Sequence, residues 1–262
     1  MIELARNHKR GLVLRAPVMN AAGVLGFANE YRGLLDFSQL GAFVTNPLTL
    51  HARTPAAPPN ALAIHDGLLI HTGLPNPGLR AALRRYRRDW LRLGVPVIAH
   101  FAATTLDDVR RGRDWLERDD SVSGVELGLR DDVAAGEMEV LIRAARGGQP
   151  LLVRLPLLRA TELAEAAVGA GADCLVVGAP PRLAVESEVR SIAGRVYGPA
   201  QFTPALEAVR AVAALNLGLP LIAAGGVYSI ENVQEMLSAG AVAVQLDAVL
   251  WRDPGLIHAW QL

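Results

Sequence analysis

Gly169-Ala170-Gly171-Ala172-Asp173-Cys174-Leu175-Val176-Val177 ends an amphipathic segment on glycine and opens a short apolar run at once. Glycine suits the position after a helix because it tolerates positive φ. An apolar run that barely alternates suits a parallel strand covered on both faces. The pattern recurs at Leu40-Gly41-Ala42-Phe43-Val44-Thr45, and again where 93–99, 147–153, 217–223 and 239–245 each pass from glycine into an apolar run. Adding 17–22 and 124–129 gives eight candidate strands. Helical periodicity fills the intervals. Segment 79–93 spaces Leu79, Leu83, Tyr86, Trp90 and Leu93 by three and four, with arginines on the other face. Segments 105–118, 137–146, 161–168, 204–215 and 229–237 follow. Strands alternating with helices over 262 residues predict an α/β fold, a single (β/α)8 TIM barrel forming one domain over 1–262. Segments 3–5 and 11–14 are expected as a short hairpin at the barrel bottom.

Composition excludes several chemistries. Lys9 is the one lysine among 26 basic residues, and it sits in Asn7-His8-Lys9-Arg10, where a solvated charge suits it better than Schiff-base work. Cys174 is the single cysteine, so disulfide scaffolds, CxxC pairs and Cys-held zinc or iron–sulfur centres are out. Net charge is zero, which argues against nucleic acid or an anionic membrane as partner. Mean hydropathy is +0.25. The longest uncharged run, 211–230, is interrupted by Asn216, Pro220 and Gly225-Gly226, so it reads as helix end, turn, strand and glycine turn. Glu3 and Arg6 stand where a signal peptide needs apolar residues, and a cytoplasmic location is expected.

In such a barrel, reactive side chains project from the C-terminal strand ends. Read in order, these ends collect Asn20, Gly23, Asn46, His100, Glu126, Arg130, Asp131, Arg154, Gly178, Gly225, Gly226, Gln245 and Asp247. His100 suits acid–base work, against the alternative of a satisfied, half-buried histidine. Arg154, a charge inside an apolar strand, should face the barrel mouth, to bind an anion or to pair with Glu126 or Asp247. The 46–78 loop is long and proline-rich and holds His51, Arg53, His65, Asp66, His71 and Asn76, which suits a lid or binding wall. The histidine spacing there matches no standard zinc pattern.

Residues 17–26, Pro17-Val18-Met19-Asn20-Ala21-Ala22-Gly23-Val24-Leu25-Gly26, carry a resemblance. With Gly67-Leu68-Leu69, Gly73-Leu74-Pro75-Asn76-Pro77-Gly78, Val153-Arg154-Leu155-Pro156, Gly198-Pro199-Ala200 and Gly225-Gly226-Val227, the stretch resembles the dihydroorotate dehydrogenase family, FMN enzymes of pyrimidine synthesis. The resemblance implies FMN across the barrel mouth. Its phosphate would lie near Gly198, Gly225 and Gly226, and its ring near Ala21, Ala22, Gly23, Asn46 and Arg154. It also implies Asn76 and His71 beside a small-molecule substrate, with Asp131 or His100 moving the proton as hydride passes to or from flavin N5. Family members often dimerise, so a homodimer stays open.

The departures are as informative. The family's two flavin-contacting lysines fall on Asn46 and Arg154, a substrate asparagine on Ile70, and the catalytic cysteine or serine base on Asp131. Cys174, beginning a buried strand, is not that base. The family's Gly-Thr after strand eight is Asp247-Ala248, and a carboxylate beside a dianionic phosphate is repulsive by about 1 kcal/mol at 4 Å even in water. The resulting expectation is a divergent FMN-dependent oxidoreductase acting on another small molecule. Two alternatives accompany it: a cofactor-free barrel binding a phosphorylated or carboxylated metabolite, and a non-catalytic relative. A barrel mouth filled by its own side chains, with Arg154 locked to Glu126 or Asp247, favours the last.

Overall fold

The computed structural model describes residues 1–102, 105–186 and 191–259. Eight parallel strands run β1 (Val18–Asn20), β2 (Phe43–Val44), β3 (Val97–Ala102), β4 (Gly124–Gly128), β5 (Leu151–Pro156), β6 (Cys174–Ala179), β7 (Leu221–Ala224) and β8 (Ala243–Leu246). Each pairs with its chain neighbour from β2 to β8, and β8 pairs with β1, so the strands form a nearly closed barrel. Between β1 and β2 the ladder is replaced by a side chain. Asn20 Nδ2 donates to the Val44 carbonyl at 2.6 Å, and the Val44 N–H donates to Asn20 Oδ1 at 3.0 Å. Both sit in the dry interior, where backbone groups need partners.

The helices on the outside are α1 (Leu79–Trp90), α2 (Leu106–Leu116), α3 (Ala135–Ala145), α4 (Ala160–Ala170), α5 (Phe202–Ala214) and α6 (Ile230–Ser238). α2 starts on Thr105, whose side chain accepts from the Asp108 N–H. α4 ends on Gly171 at φ 103°, the left-handed turn expected from the quoted stretch. The expected hairpin forms one residue earlier than anticipated on its first strand, as Ile2–Glu3 against Val13–Leu14.

Two apolar layers hold the barrel. The larger lies between strands and helices, from Phe43 and Trp90 to Val209 and Met236. The smaller plugs the barrel axis: Met19, Val44, Ile98, Leu152, Cys174, Val176, Ile222 and Ala243, sealed below by Leu4, Leu12 and Leu14 of the hairpin. Cys174 belongs to this plug and burial pushes its thiol well up, so it packs as a small apolar group.

The long 46–78 segment is more ordered than a loop. It folds Ala61–Ile64 against Gly67–Ile70, and a second hairpin, Arg182–Glu186 against Ser191–Tyr197, joins it through Tyr197↔Leu68 pairing. The result is a four-stranded antiparallel sheet with its own small core of Leu69, Ile192 and Val196. Among the described residues, no helix is long and apolar enough to cross a membrane.

Candidate functional site

Above the apolar plug, side chains two residues farther along the strands turn polar. Ile98 is followed inward by His100, Leu152 by Arg154 and Ala243 by Gln245, because strand side chains alternate. With Glu126 of β4 they meet on the axis. His100 Nδ1 lies 2.7 Å from Glu126 Oε1, and Gln245 Nε2 donates to Glu126 Oε2 at 2.5 Å. Arg154 Nη1 donates to Gln245 Oε1 at 2.5 Å and reaches Glu126 Oε1 at 3.4 Å. β4 and β8 lie far apart in the strand order, so the Glu126–Gln245 contact crosses the barrel interior.

Glu126 is wholly buried. Burial pushes its carboxyl up, but the His100 hydrogen bond, the Arg154 and His100 charges and the Gln245 amide outweigh it and hold it at about 2. The imidazole runs up the strand: a Cβ on Gly128 would lie 2.6 Å from His100 Nε2. Glycine at 128 therefore makes room for the ring and leaves Nε2 toward the C-terminal end of β4. Nε2 has no hydrogen-bond partner among the described residues.

The turns after β7 and β8 meet because Ala224 pairs with Gln245. Gly226, at φ 67°, lies flush on α5, where a Cβ would run into the Phe202 backbone. Its N–H donates to Asp247 Oδ2 at 3.4 Å. Asp247 is buried and its Oδ1 has no partner among the described residues. Burial raises its carboxyl to about 6, against the pull of the Gly226, Ala248 and Val249 N–H groups and of Arg154. Over this end, Tyr197 and Trp251 pair with ring centroids 6.1 Å apart, and Trp251 Nε1 donates to the Val24 carbonyl at 3.0 Å. Burial, then the Asp247 carboxylate, push the Tyr197 phenol up, while Arg154 and Arg195 pull it down.

The other sequence-derived positions are occupied with the fold. Asn46 fastens the turn after β1, its Oδ1 accepting from the Gly26 N–H at 3.1 Å. Ala21 is buried and Ala22 packs on the axial plug. Gly23 faces Pro47, with room for a methyl group at 3.8 Å. Gly198 lies against the Asp66–Gly67 backbone, and Gly225 against the Gly178 carbonyl. Asn76 is buried, its amide bonded to Thr49, Leu74 and Gly78. His71 donates its backbone N–H to the Asn60 carbonyl beside the small sheet. Asp131 is tied to Arg195 Nη1 at 2.7 Å, away from the His100–Glu126 pair. Of the anticipated set, the structure brings His100 and Arg154 together and joins them through Glu126 and Gln245. The covering aromatics Tyr197 and Trp251 and the clearance at Gly128 were not anticipated. Only the glycine two residues past Glu126 carried a readable signal. Among the described residues, no three His, Cys, Asp or Glu side chains converge on a metal position.

These residues do not fit FMN held in the manner the resemblance implies. The Gly226 N–H is engaged by a carboxylate, and a phosphate there would face a second buried anion. Arg154 is bound to Glu126 and Gln245, and Asn46 to Gly26.

Comparison with known proteins gives the family. The model for dihydroorotate dehydrogenase matches residues 5–128. The catalytic subunit of dihydroorotate dehydrogenase B (NAD(+)) from Desulforudis audaxviator is 31% identical over 275 residues, 95% of this chain and 87% of that protein. The same subunit from Trichlorobacter lovleyi is 30% identical over 264 residues, 93% of this chain and 86% of its own length. The Geotalea daltonii subunit is 29% identical over 265 residues, with 93% and 86% covered. An eight-stranded barrel with Glu126 on its axis, matched along nearly its whole length, belongs to the dihydroorotate dehydrogenase family.

Proposed function

We propose that this family member is a flavin-free barrel that moves a proton on a small molecule through His100. The carrying observation is the His100–Glu126 pair at 2.7 Å, with Nε2 left toward the mouth. A buried carboxylate on Nδ1 fixes the tautomer and stabilises the imidazolium formed when Nε2 takes a proton. Arg154 and Gln245 keep that carboxylate ionised, which suits it to orient the ring and not to react. This chemistry needs no hydride acceptor and fits proton abstraction beside a carbonyl, as in a lyase or isomerase. Asp131, held by Arg195, has no part in it.

Two measurements test the reading. Added FMN should leave its fluorescence unchanged with the purified protein. A panel of small carbonyl compounds, neutral ones included, in heavy water should include one whose α-protons exchange, followed by proton NMR, with exchange lost in His100→Asn. Tight FMN binding, or exchange untouched by His100→Asn, overturns it. The Arg154–Glu126 contact, named above as a mark of a non-catalytic relative, and the Tyr197–Trp251 cover favour that second reading, which predicts no exchange with any compound.

A further inference from the structure

We infer that Asp247 is a built-in anion, whose carboxylate takes the place of a ligand's phosphate on the turns after β7 and β8 and makes this barrel refuse phosphorylated ligands. The inference rests on the flavin-free reading above and names the residue that enforces it. In barrels of this architecture, a phosphate commonly sits where the loops after the seventh and eighth strands meet. Here those loops are brought together by the Ala224↔Gln245 register. Gly226 cannot swing away, because its positive φ and its contact with the Phe202 backbone fix the direction of its N–H. That N–H points at Asp247 Oδ2.

The second observation is Oδ1. It is buried with no partner among the described residues, on a side chain only 2% exposed. A buried carboxylate oxygen without a donor is costly, so the carboxylate is not there because its surroundings satisfy it fully. It occupies anion-directed donors while presenting negative charge to whatever approaches. The nearby guanidinium, Arg154, is tied through Nη1 to Gln245 Oε1 and Glu126 Oε1. An entering phosphate therefore meets an occupied donor, a like charge and, in Arg154, a guanidinium whose Nη1 is already bonded to Gln245 and Glu126. Deleting the side chain removes the first two obstacles together.

The test compares wild type with Asp247→Gly, using inorganic phosphate as the probe at pH 7.5 and chloride at matched ionic strength as the control. Wild type should show no phosphate-specific change in thermal midpoint. Asp247→Gly should show a saturable rise, with apparent phosphate affinity at least tenfold tighter than wild type. If Asp247→Gly does not fold, Asp247→Ser, which also vacates the Gly226 N–H, is titrated instead. Phosphate binding by wild type as tight as by the variant overturns the inference, as does failure of every folded variant to gain affinity. Proton exchange and its loss in His100→Asn read the proposed function separately. A variant that gains phosphate while wild type exchanges no proton upholds Asp247 and sinks proton transfer by the His100–Glu126 pair, and the converse sinks Asp247 alone.

Discussion

Two buried carboxylates a few residues from the same axis have opposite electrostatic environments, and stability should record both. Glu126 sits at about 2 in the fold against an ordinary 4.5. A depressed carboxyl stabilises above its unfolded value, and that contribution is lost as pH falls from about 4.5 toward 2. Asp247 sits at about 6 against 3.8. A raised carboxyl binds its proton more tightly when folded, so stability rises as pH falls from about 6 toward 4. Urea unfolding should therefore show wild type gaining stability from pH 7 to about 5 and losing it below about 4.5. Asp247→Asn should abolish the rise and keep the acid loss; a rise that survives in the variant refutes the assignment. At Gly128, a methyl group would press on the imidazole. Gly128→Ala should cost about 1–3 kcal/mol and break the His100–Glu126 hydrogen bond, seen as a changed imidazole Nδ1 proton signal in NMR. An unchanged signal would show that the ring has slack.

At the scale of elements, the β1–β2 seam is closed by the Asn20 amide beside a single backbone bond, Gly41 N–H to the Val18 carbonyl at 2.7 Å. Asn20→Leu keeps the volume but removes both bonds to Val44, stranding a buried N–H and C=O. The loss should be about 2–5 kcal/mol from two unsatisfied backbone groups, read by urea unfolding; a change under about 1 kcal/mol means the seam closes without it. By contrast, the Asp131–Arg195 pair is about one-third exposed on each side, so Asp131→Asn should shift stability by less than about 1 kcal/mol. The barrel strands were legible because each repeats a local signal, a glycine at a helix end and then an apolar run. Gly171 in its left-handed turn is the plainest case. The small sheet was not legible. Its hairpins lie far apart in sequence and meet only through register pairs such as Tyr197↔Leu68, which no local pattern encodes. Asn20 read as a strand-end candidate, yet its partner Val44 is set by how the barrel curls.

At the scale of the whole molecule, the same division governs the site. His100, Glu126, Arg154 and Asp247 stood out as polar residues at strand ends, and the Arg154–Glu126 pairing was among the options weighed. Which options are realised depends on contacts across the barrel, Glu126 to Gln245 and Trp251 to Val24, that only the closed barrel makes. That closure makes the site resist piecemeal reversal. Asp247 engages the turn donor, Arg154 is held in the axial network, Asn46 fastens Gly26, and Tyr197 with Trp251 covers one side. Groups that act as a unit are not additive, so restoring one does not restore a fraction of the whole. Asp247→Gly alone should accept inorganic phosphate and still fail to retain FMN through gel filtration, measured by visible absorbance, and fail to oxidise dihydroorotate. Adding Arg154→Lys and Asn46→Lys should be required before any flavin stays bound. A single Asp247→Gly protein that elutes yellow would show instead that the rest of the mouth is ready for flavin and that the carboxylate alone keeps it out.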